Sequence, residues 1–278
     1  MSRACIFVVY DPTTDNQPAL SRAAALARGS LITGGAGIKI HVYSCIYSKI
    51  PKSERRAAQK AELIAAQEKI VETAVFALVG KETEVSIEVE WGKNWYKGVV
   101  RAADRIGADA VFKSTFKHSA SQRLLRKTSD HTLLRECSCP VFLARSDAEE
   151  AGPYRVILAA VEFRQEVGDY TELNRKIVEF ARMFLATESV KIHFVNAYGE
   201  LSDRPDKGQL VRACGVPSDQ VHIRMGEADE VIVEMARELA ANLVVVGNSA
   251  RSGLAAAINN NTAEKILDKL ECNLLALP

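Results

Sequence analysis

The stretch from 247 to 262, GNSARSGLAAAINNNT, holds residue types from which an anion-binding loop is built. Gly247 follows directly on the apolar run Leu243 to Val246, and Asn260, Asn261 and Thr262 lead into a helical pattern. Glycine lets backbone amides approach phosphate oxygens with no Cβ in the way, and a helix N-terminus adds favourable partial charge. The corresponding stretch of the first half carries Lys113, Lys117, Arg123, Arg126 and Lys127 with no acidic residue among them. There side-chain cations could stand in for amides as an anion site, and a solvated basic face is the competing reading.

Asp11 and Glu162 each close an apolar run, the position where ligands gather in open α/β sheets. Turn chemistry competes for the same residues, since Asp11-Pro12 also begins a turn. Tyr47 and Tyr198 follow the second strand of each half, near the expected mouth. Trp91 and Trp95 flank Gly92 where the second half has Met225 beside Gly226, so the first mouth reads as the more filled. His118, His131, Cys137 and Cys139 lack the paired spacings of a zinc site, and Cys139 has a repeat partner, Cys272, at a strand start; packing is the reading, with no metal. No Ser-His-Asp order, Walker loop or redox Cys-x-x-Cys stands where its chemistry could assemble. The chain therefore reads as a binding protein rather than an enzyme.

The elements that position these residues are written twice. A constant offset of 133 pairs Asp109 with Asn242, Ser114 with Gly247, Leu134 with Leu267 and Cys139 with Cys272. Earlier landmarks pair at 151 (Asp11 with Glu162, Tyr47 with Tyr198) and Gly92 pairs with Gly226 at 134, which places about 17 extra residues in the first half. They fall in a long helical pattern, Pro51 to Val79, where the second half has a short segment, Pro205 to Cys214. Within each half the order is β-α-β-α-β-α-β-α-β. Continuous apolar runs (Ile6 to Tyr10, Val156 to Val161, Leu243 to Val246, Leu274 to Leu277) suit strands covered on both faces. The stripes Trp95, Val99, Ala102, Ile106 and Ile232, Met235, Ala236, Leu239 predict equivalent helices, and Asn261 with Glu264 caps a last one carrying Ala263, Ile266, Leu267 and Leu270. The polar segment SDAEEAGP, residues 146 to 153, separates the halves.

Composition sets the outer limits. The 278 residues are 47% apolar and 26% charged with a net charge of +1, so no strong field recruits nucleic acid or an anionic membrane. Apolar runs fall far short of a membrane span, and the N-terminus reads as a first strand and not a signal peptide. The expectation is a cytoplasmic protein whose six cysteines stay reduced.

The doubled order of an acidic residue closing the first strand (Asp11, Glu162), a glycine after the third (Gly92, Gly226) and a polar Asn-Thr ending before a capped helix resembles the universal stress protein family in its tandem, UspE-like form, over essentially the whole chain. The resemblance implies two five-stranded parallel α/β domains of the adenine nucleotide alpha-hydrolase-like, Rossmann-like type, residues 1–148 and 149–278, packed as a pseudo-dimer. Their last strands, Val141 to Ala144 and Leu274 to Leu277, would pair within one chain; further homodimerisation stays open. Members that bind ATP use a loop of Gly, two residues, Gly, nine residues, then Gly with Ser or Thr, with the acidic residue near the adenine. Onto that loop the second half maps Gly247, Ala250 and Asn260, then Asn261 and Thr262, while the first maps Ser114, Lys117 and Lys127, then Thr128. One glycine of three survives in the second half and none in the first. Asparagine tolerates left-handed angles and alanine adds one methyl, so the second loop can still curl. The resulting expectation is a stress-response protein that binds a small ligand or a partner, chiefly through its second half, with no dependence on ATP hydrolysis. Two alternatives stay open: ATP held in the second half with slow hydrolysis, through Glu162, Gly247, Asn260, Asn261 and Thr262, and a protein-recruiting scaffold that uses a less covered face of that half.

Overall fold

The apolar runs become parallel strands, each returning to the next through a helix. The computed structural model describes residues 3–32, 37–115, 129–145, 154–163, 168–183, 190–248 and 262–278. The chain divides into two compact units, Met1–Ala151 and Gly152–Pro278. The segment 146–153 lies outside the described residues.

In the first unit the order is β1 (Ala4–Tyr10), α1 (Pro18–Ile32), β2 (Ile38–Ile46), α2 (Arg56–Leu78), β3 (Val85–Trp91), α3 (Trp95–Ile106), β4 (Ala110–Thr115), α4 (helical residues 129–136) and β5 (Val141–Arg145). The second unit repeats it with β6 (Val156–Ala160), α5 (Gly168–Met183), β7 (Lys191–Tyr198), α6 (Lys207–Cys214), β8 (Val221–Met225), α7 (Ala228–Glu238), β9 (Leu243–Gly247), α8 (Thr262–Leu267) and β10 (Asn273–Leu277). Strands line up as β3-β2-β1-β4-β5 in one unit and β8-β7-β6-β9-β10 in the other. Order reverses beside β1 and beside β6, so the loops leaving β1 and β4, or β6 and β9, part there and open a crevice.

Helices form where the stripes predicted them. Val99 and Ala102 of α3, Ile232, Met235 and Ala236 of α7, and Ala263, Ile266 and Leu267 of α8 are all buried. Pro18 opens α1, where a missing N–H costs nothing, and Ala19, Leu20, Ala23, Ala24 and Ala27 form its buried face. The Asp206 side chain caps α6 by accepting from the Gln209 amide at 2.7 Å.

Sheet register corrects one repeat pairing. Ile6 lies opposite Ile40 in β1–β2, and its counterpart Ile157 lies opposite Ile192 in β6–β7, so the second strands run at an offset of 152. Tyr198 therefore matches Ile46 and not Tyr47. The amide of Gly92 donates to the Ile46 carbonyl at 3.1 Å and that of Gly226 to the Tyr198 carbonyl at 3.0 Å, which confirms this alignment and the pairing of the two glycines. At Gly226 φ is +145°, a conformation that side chains avoid.

The long helix α2 buries only Gln67, Val71 and Val75. Leu63, Ile70, Phe76 and Leu78 on it are exposed, whereas Leu201 and Met225 are the exposed large apolar side chains among the described residues of the second unit. The extra helix itself, rather than the unit lacking it, carries the less covered apolar surface.

Strands β7 and β8 are joined by a histidine pair, His193 Nδ1 to His222 Nε2 at 3.0 Å. Burial holds both imidazoles below the ordinary histidine range; Lys191 beside His193, and Arg224 and Lys207 beside His222, push the same way, while Asp219 and Glu238 oppose. Folding thus favours their neutral forms. The unfolded chain protonates near about 6.5, so the pair's contribution is complete above that pH and is lost as the pH falls below it. The urea midpoint should drop between about pH 7.5 and about pH 5, and His193→Phe/His222→Phe should remove a measurable part of that drop, to which buried His41 contributes separately. A pH dependence identical in the double variant would refute the assignment.

Candidate functional site

A cavity of about 740 Å³ lies at the carboxyl ends of β1 to β4. Six aromatic residues line it: Tyr10, Tyr43, Tyr47, Trp91, Trp95 and Tyr96. Both tryptophans of the chain are among them. Strand ends put them there: Tyr47 is the first residue past β2, Trp91 the last of β3, and Trp95 the first of α3. The Tyr47 and Trp91 rings meet at 6.0 Å between centroids and 57°. The sequence predicted a mouth filled by these rings, but they line an open space because α2 stands off from the strand ends and forms the far wall. Leu63, Ala66, Gln67 and Ile70 recur there at helical spacing.

Several polar groups of this cavity are engaged within the protein. The Tyr43 hydroxyl donates to Glu90 Oε2 at 2.6 Å, and burial together with that carboxylate pushes its phenol far up, so it stays protonated. A Cβ on Gly98 would stand 2.3 Å from this hydroxyl, so α3 needs glycine where it crosses Tyr43. Cys45 Sγ donates to the Gly92 carbonyl at 3.4 Å, and burial raises its thiol, which leaves no activated nucleophile. Gln67 donates to Ser44 Oγ at 3.3 Å. Ser114 Oγ accepts from the Ala19 amide at 3.1 Å.

Lys113, expected among the loop cations, is a buried residue of β4. Pairing between β4 and β5 continues to Thr115 opposite Arg145, which carries Lys113 into the sheet. Its ammonium meets Asp130 Oδ1 at 2.7 Å, donates to the Ser114 carbonyl at 2.7 Å, and lies 5.6 Å from the centre of the Trp95 ring. Thr115 Oγ1 also donates to Asp130, at 3.2 Å. The acidic partner stands three residues past the basic stretch, where a reading confined to that stretch misses it. At the offset of 133 the second unit has Val246 and Ala263, so the ion pair belongs to the first unit alone.

Of the residues singled out in the sequence, Asp11 lines the cavity, but its Oδ1 accepts from the Thr13 amide (2.9 Å) and hydroxyl (2.5 Å), an Asx turn. The backbone at Asp11 is clamped by the Gln17 side chain, which accepts from its amide at 3.2 Å and donates to its carbonyl at 2.7 Å. Glu162, half-buried after β6, is held the same way by Asn174, which accepts from the Glu162 amide at 3.0 Å and donates to its carbonyl. This shared amide clamp was not read from the sequence, and an amide residue just ahead of α1 (Gln17) and in the second turn of α5 (Asn174) is the signal that could have found it. Gly247 ends β9, and a Cβ there would stand 2.3 Å from Leu173 Cδ2 of α5, so its glycine makes room for a leucine. Thr262 opens α8. Ala250, Asn260 and Asn261, and in the first unit Lys117, Lys127 and Thr128, lie outside the described residues, as do His118, Arg123 and Arg126. Asn196 of β7 occupies the place of Ser44; its Nδ2 donates to the Val161 carbonyl at 3.0 Å, and its buried Oδ1 has no partner among the described residues, since α6 supplies no equivalent of Gln67.

The model of the universal stress protein family matches residues 5–145 and 186–278. A universal stress protein E homolog of Haemophilus influenzae is 30% identical over 301 residues, covering 98% of this chain and 96% of its own length. Universal stress protein E of Escherichia coli K12 is 26% identical over 297 residues, covering 98% and 93%. A solved protein of unknown function from Pseudomonas aeruginosa PAO1 superposes with a TM-score of 0.66 at 25% identity, over 99% of this chain and 92% of the other. A universal stress protein from Archaeoglobus fulgidus DSM 4304 reaches 0.72 at 13% identity, over 98% and 95%, a likeness of fold.

The Lys113–Asp130 pair yields a stability prediction. Asp130→Ala should strand a buried ammonium and destabilise the protein by about 3–5 kcal/mol in urea unfolding, while Lys113→Val/Asp130→Ala, the residues of the second unit, should recover most of that loss. Equal losses in the two variants would show that the charge is not what the single substitution exposes.

Proposed function

The chain belongs to the universal stress protein family, and from its stress-response role we propose that it acts by binding a small organic ligand in the first-unit cavity, without nucleotide hydrolysis. The observation that carries this reading is the stripe Leu63, Ala66, Ile70 on α2. Leu63 and Ile70 are 42% and 54% exposed, yet they face a wall of aromatic rings across a cavity of about 740 Å³. Apolar residues at helical spacing ordinarily meet protein; here they meet a space of the size that holds a drug-sized molecule.

Chemistry at the cavity supports binding over catalysis. Tyr43 and Cys45 are held in their protonated forms, and Asp11 is spent on a turn. Sequence reasoning favoured the second unit because Gly247 survives there. Leu173 offers a packing account of that glycine, which weakens the argument for an ATP loop built on it.

Native mass spectrometry of the untagged protein purified from stressed cells should show a small-molecule adduct that Ala66→Trp, at an exposed position on the cavity wall, abolishes. Incubation with ATP and magnesium should give no hydrolysis above background. A bare chain, an adduct indifferent to Ala66→Trp, or turnover of ATP would overturn the proposal.

A further inference from the structure

Phe76 of α2 is 77% exposed, and beside it opens a hollow of about 410 Å³ lined by Val75, Val79, Val85 and Ile87. Exposed Glu72 and Lys81 border the same hollow. Thr83 also lines it; this residue is buried, and its Oγ1 has no partner among the described residues. A buried hydroxyl left unpaired is costly, so the place favours an occupant that brings a polar group as well as apolar surface.

The neighbouring strand has an open side. β3 is the outermost strand of its unit and pairs with β2. The Glu84 carbonyl accepts from the Ile40 amide at 2.9 Å and the Gly92 amide donates to the Ile46 carbonyl at 3.1 Å, so the even-numbered residues turn their backbone groups to β2. Backbone direction alternates along a strand, which leaves the amides and carbonyls of Val85, Ile87 and Val89 facing away from β2. Such edges are ordinarily guarded by lysine, proline or free charge. β3 contains neither lysine nor proline, and its Glu88 and Glu90 are held by Arg105 at 2.6 Å and Arg101 at 3.2 Å.

We infer that this face docks a second copy of the chain about a two-fold axis, with β3 antiparallel to its copy and each Phe76 ring in the other's hollow. A two-fold interface must complement itself, and this surface does so in three ways. It holds a ring beside an apolar hollow, an acid beside a base, and a strand edge whose amides and carbonyls pair with their own kind. The edge of the copy also carries the polar groups that Thr83 lacks.

Sedimentation of the full-length protein over a concentration series should show an equilibrium between monomer and dimer. Phe76→Asp, at an exposed position so that circular dichroism is unchanged, should weaken the dimer at least about a hundredfold, since each dimer loses the ring twice. Glu72→Lys and Lys81→Glu should each weaken it about fivefold at low salt, and the double variant should restore it. In hydrogen exchange the amides of Val85, Ile87 and Val89 should slow as concentration rises, and should not slow in Phe76→Asp.

A chain that stays monomeric throughout, or a dimer indifferent to Phe76→Asp, would overturn the proposal. So would a dimer whose β3 amides exchange as fast as those of the monomer. A double charge reversal that weakens the dimer further would show that Glu72 and Lys81 do not meet across the axis, which overturns the two-fold arrangement.

Discussion

Parallel pairing constrains everything else in this chain. A parallel strand cannot follow its neighbour through a hairpin; the chain must cross back over the sheet, here by a helix each time, so that the carboxyl ends of all strands in a unit fall along one edge. Reversal of strand order beside β1 and beside β6 then separates the loops that leave neighbouring strands. Asp11, Tyr47, Trp91 and Ser114 are far apart in sequence and yet share one cavity because each lies at or just beyond such an end. The amide clamps of Gln17 and Asn174 serve the same edge, since they fix the backbone where β1 and β6 run out.

On that common frame the two units have taken different end groups, and the differences act in concert. Lys113 and Asp130 occupy the first unit where Val246 and Ala263 occupy the second, which puts a neutralised ion pair at the cavity in one and two buried apolar residues in the other. Ser44 and Asn196 stand at equivalent register positions. Helix α2 reaches Ser44 with Gln67, whereas the Asn196 side-chain oxygen, beside the short α6, has no partner among the described residues. The longer helix thus brings both a polar lock and an apolar wall. A single segment length, set by about 17 residues, gives the first unit the helical wall of its aromatic cavity.

Most of the frame was legible because buried parallel strands must be continuously apolar and their covering helices must be striped. Ile6 to Tyr10 and Ala263 with Ile266 and Leu267 needed nothing beyond periodicity. Register was not legible: the two tyrosines 47 and 198 match as letters, and only the pairing of Ile40 with Ile6 and of Ile192 with Ile157 shows that one residue intervenes. The site was half legible. Strand-end residues could be named from position, but whether Asp11 faces a ligand or a turn depends on Thr13, and whether Lys113 is a loop cation or a buried one depends on Asp130. Such partners are local in space and carry no periodic signature. Gly247 shows the converse case, a residue marked by motif whose requirement is met by a leucine from another helix.

The exposed stripe of α2 has an energetic consequence. A 23-residue helix with three buried side chains gains little from packing, and isolated helices are marginal in water. An occupant of the cavity would cover Leu63 and Ile70 and remove apolar area from water at roughly 25 cal/mol per Å². Whatever binds there therefore stabilises the wall that encloses it, and by linkage the free energy of binding appears as stability of the first unit in proportion to ligand concentration over its dissociation constant. Phe76, which faces a separate hollow with Val79, Val85 and Ile87, stays outside this coupling. The helix is thus divided along its length: Leu63 and Ile70 would answer to an occupant of the cavity, while Gln67, Val71 and Val75 answer to the sheet.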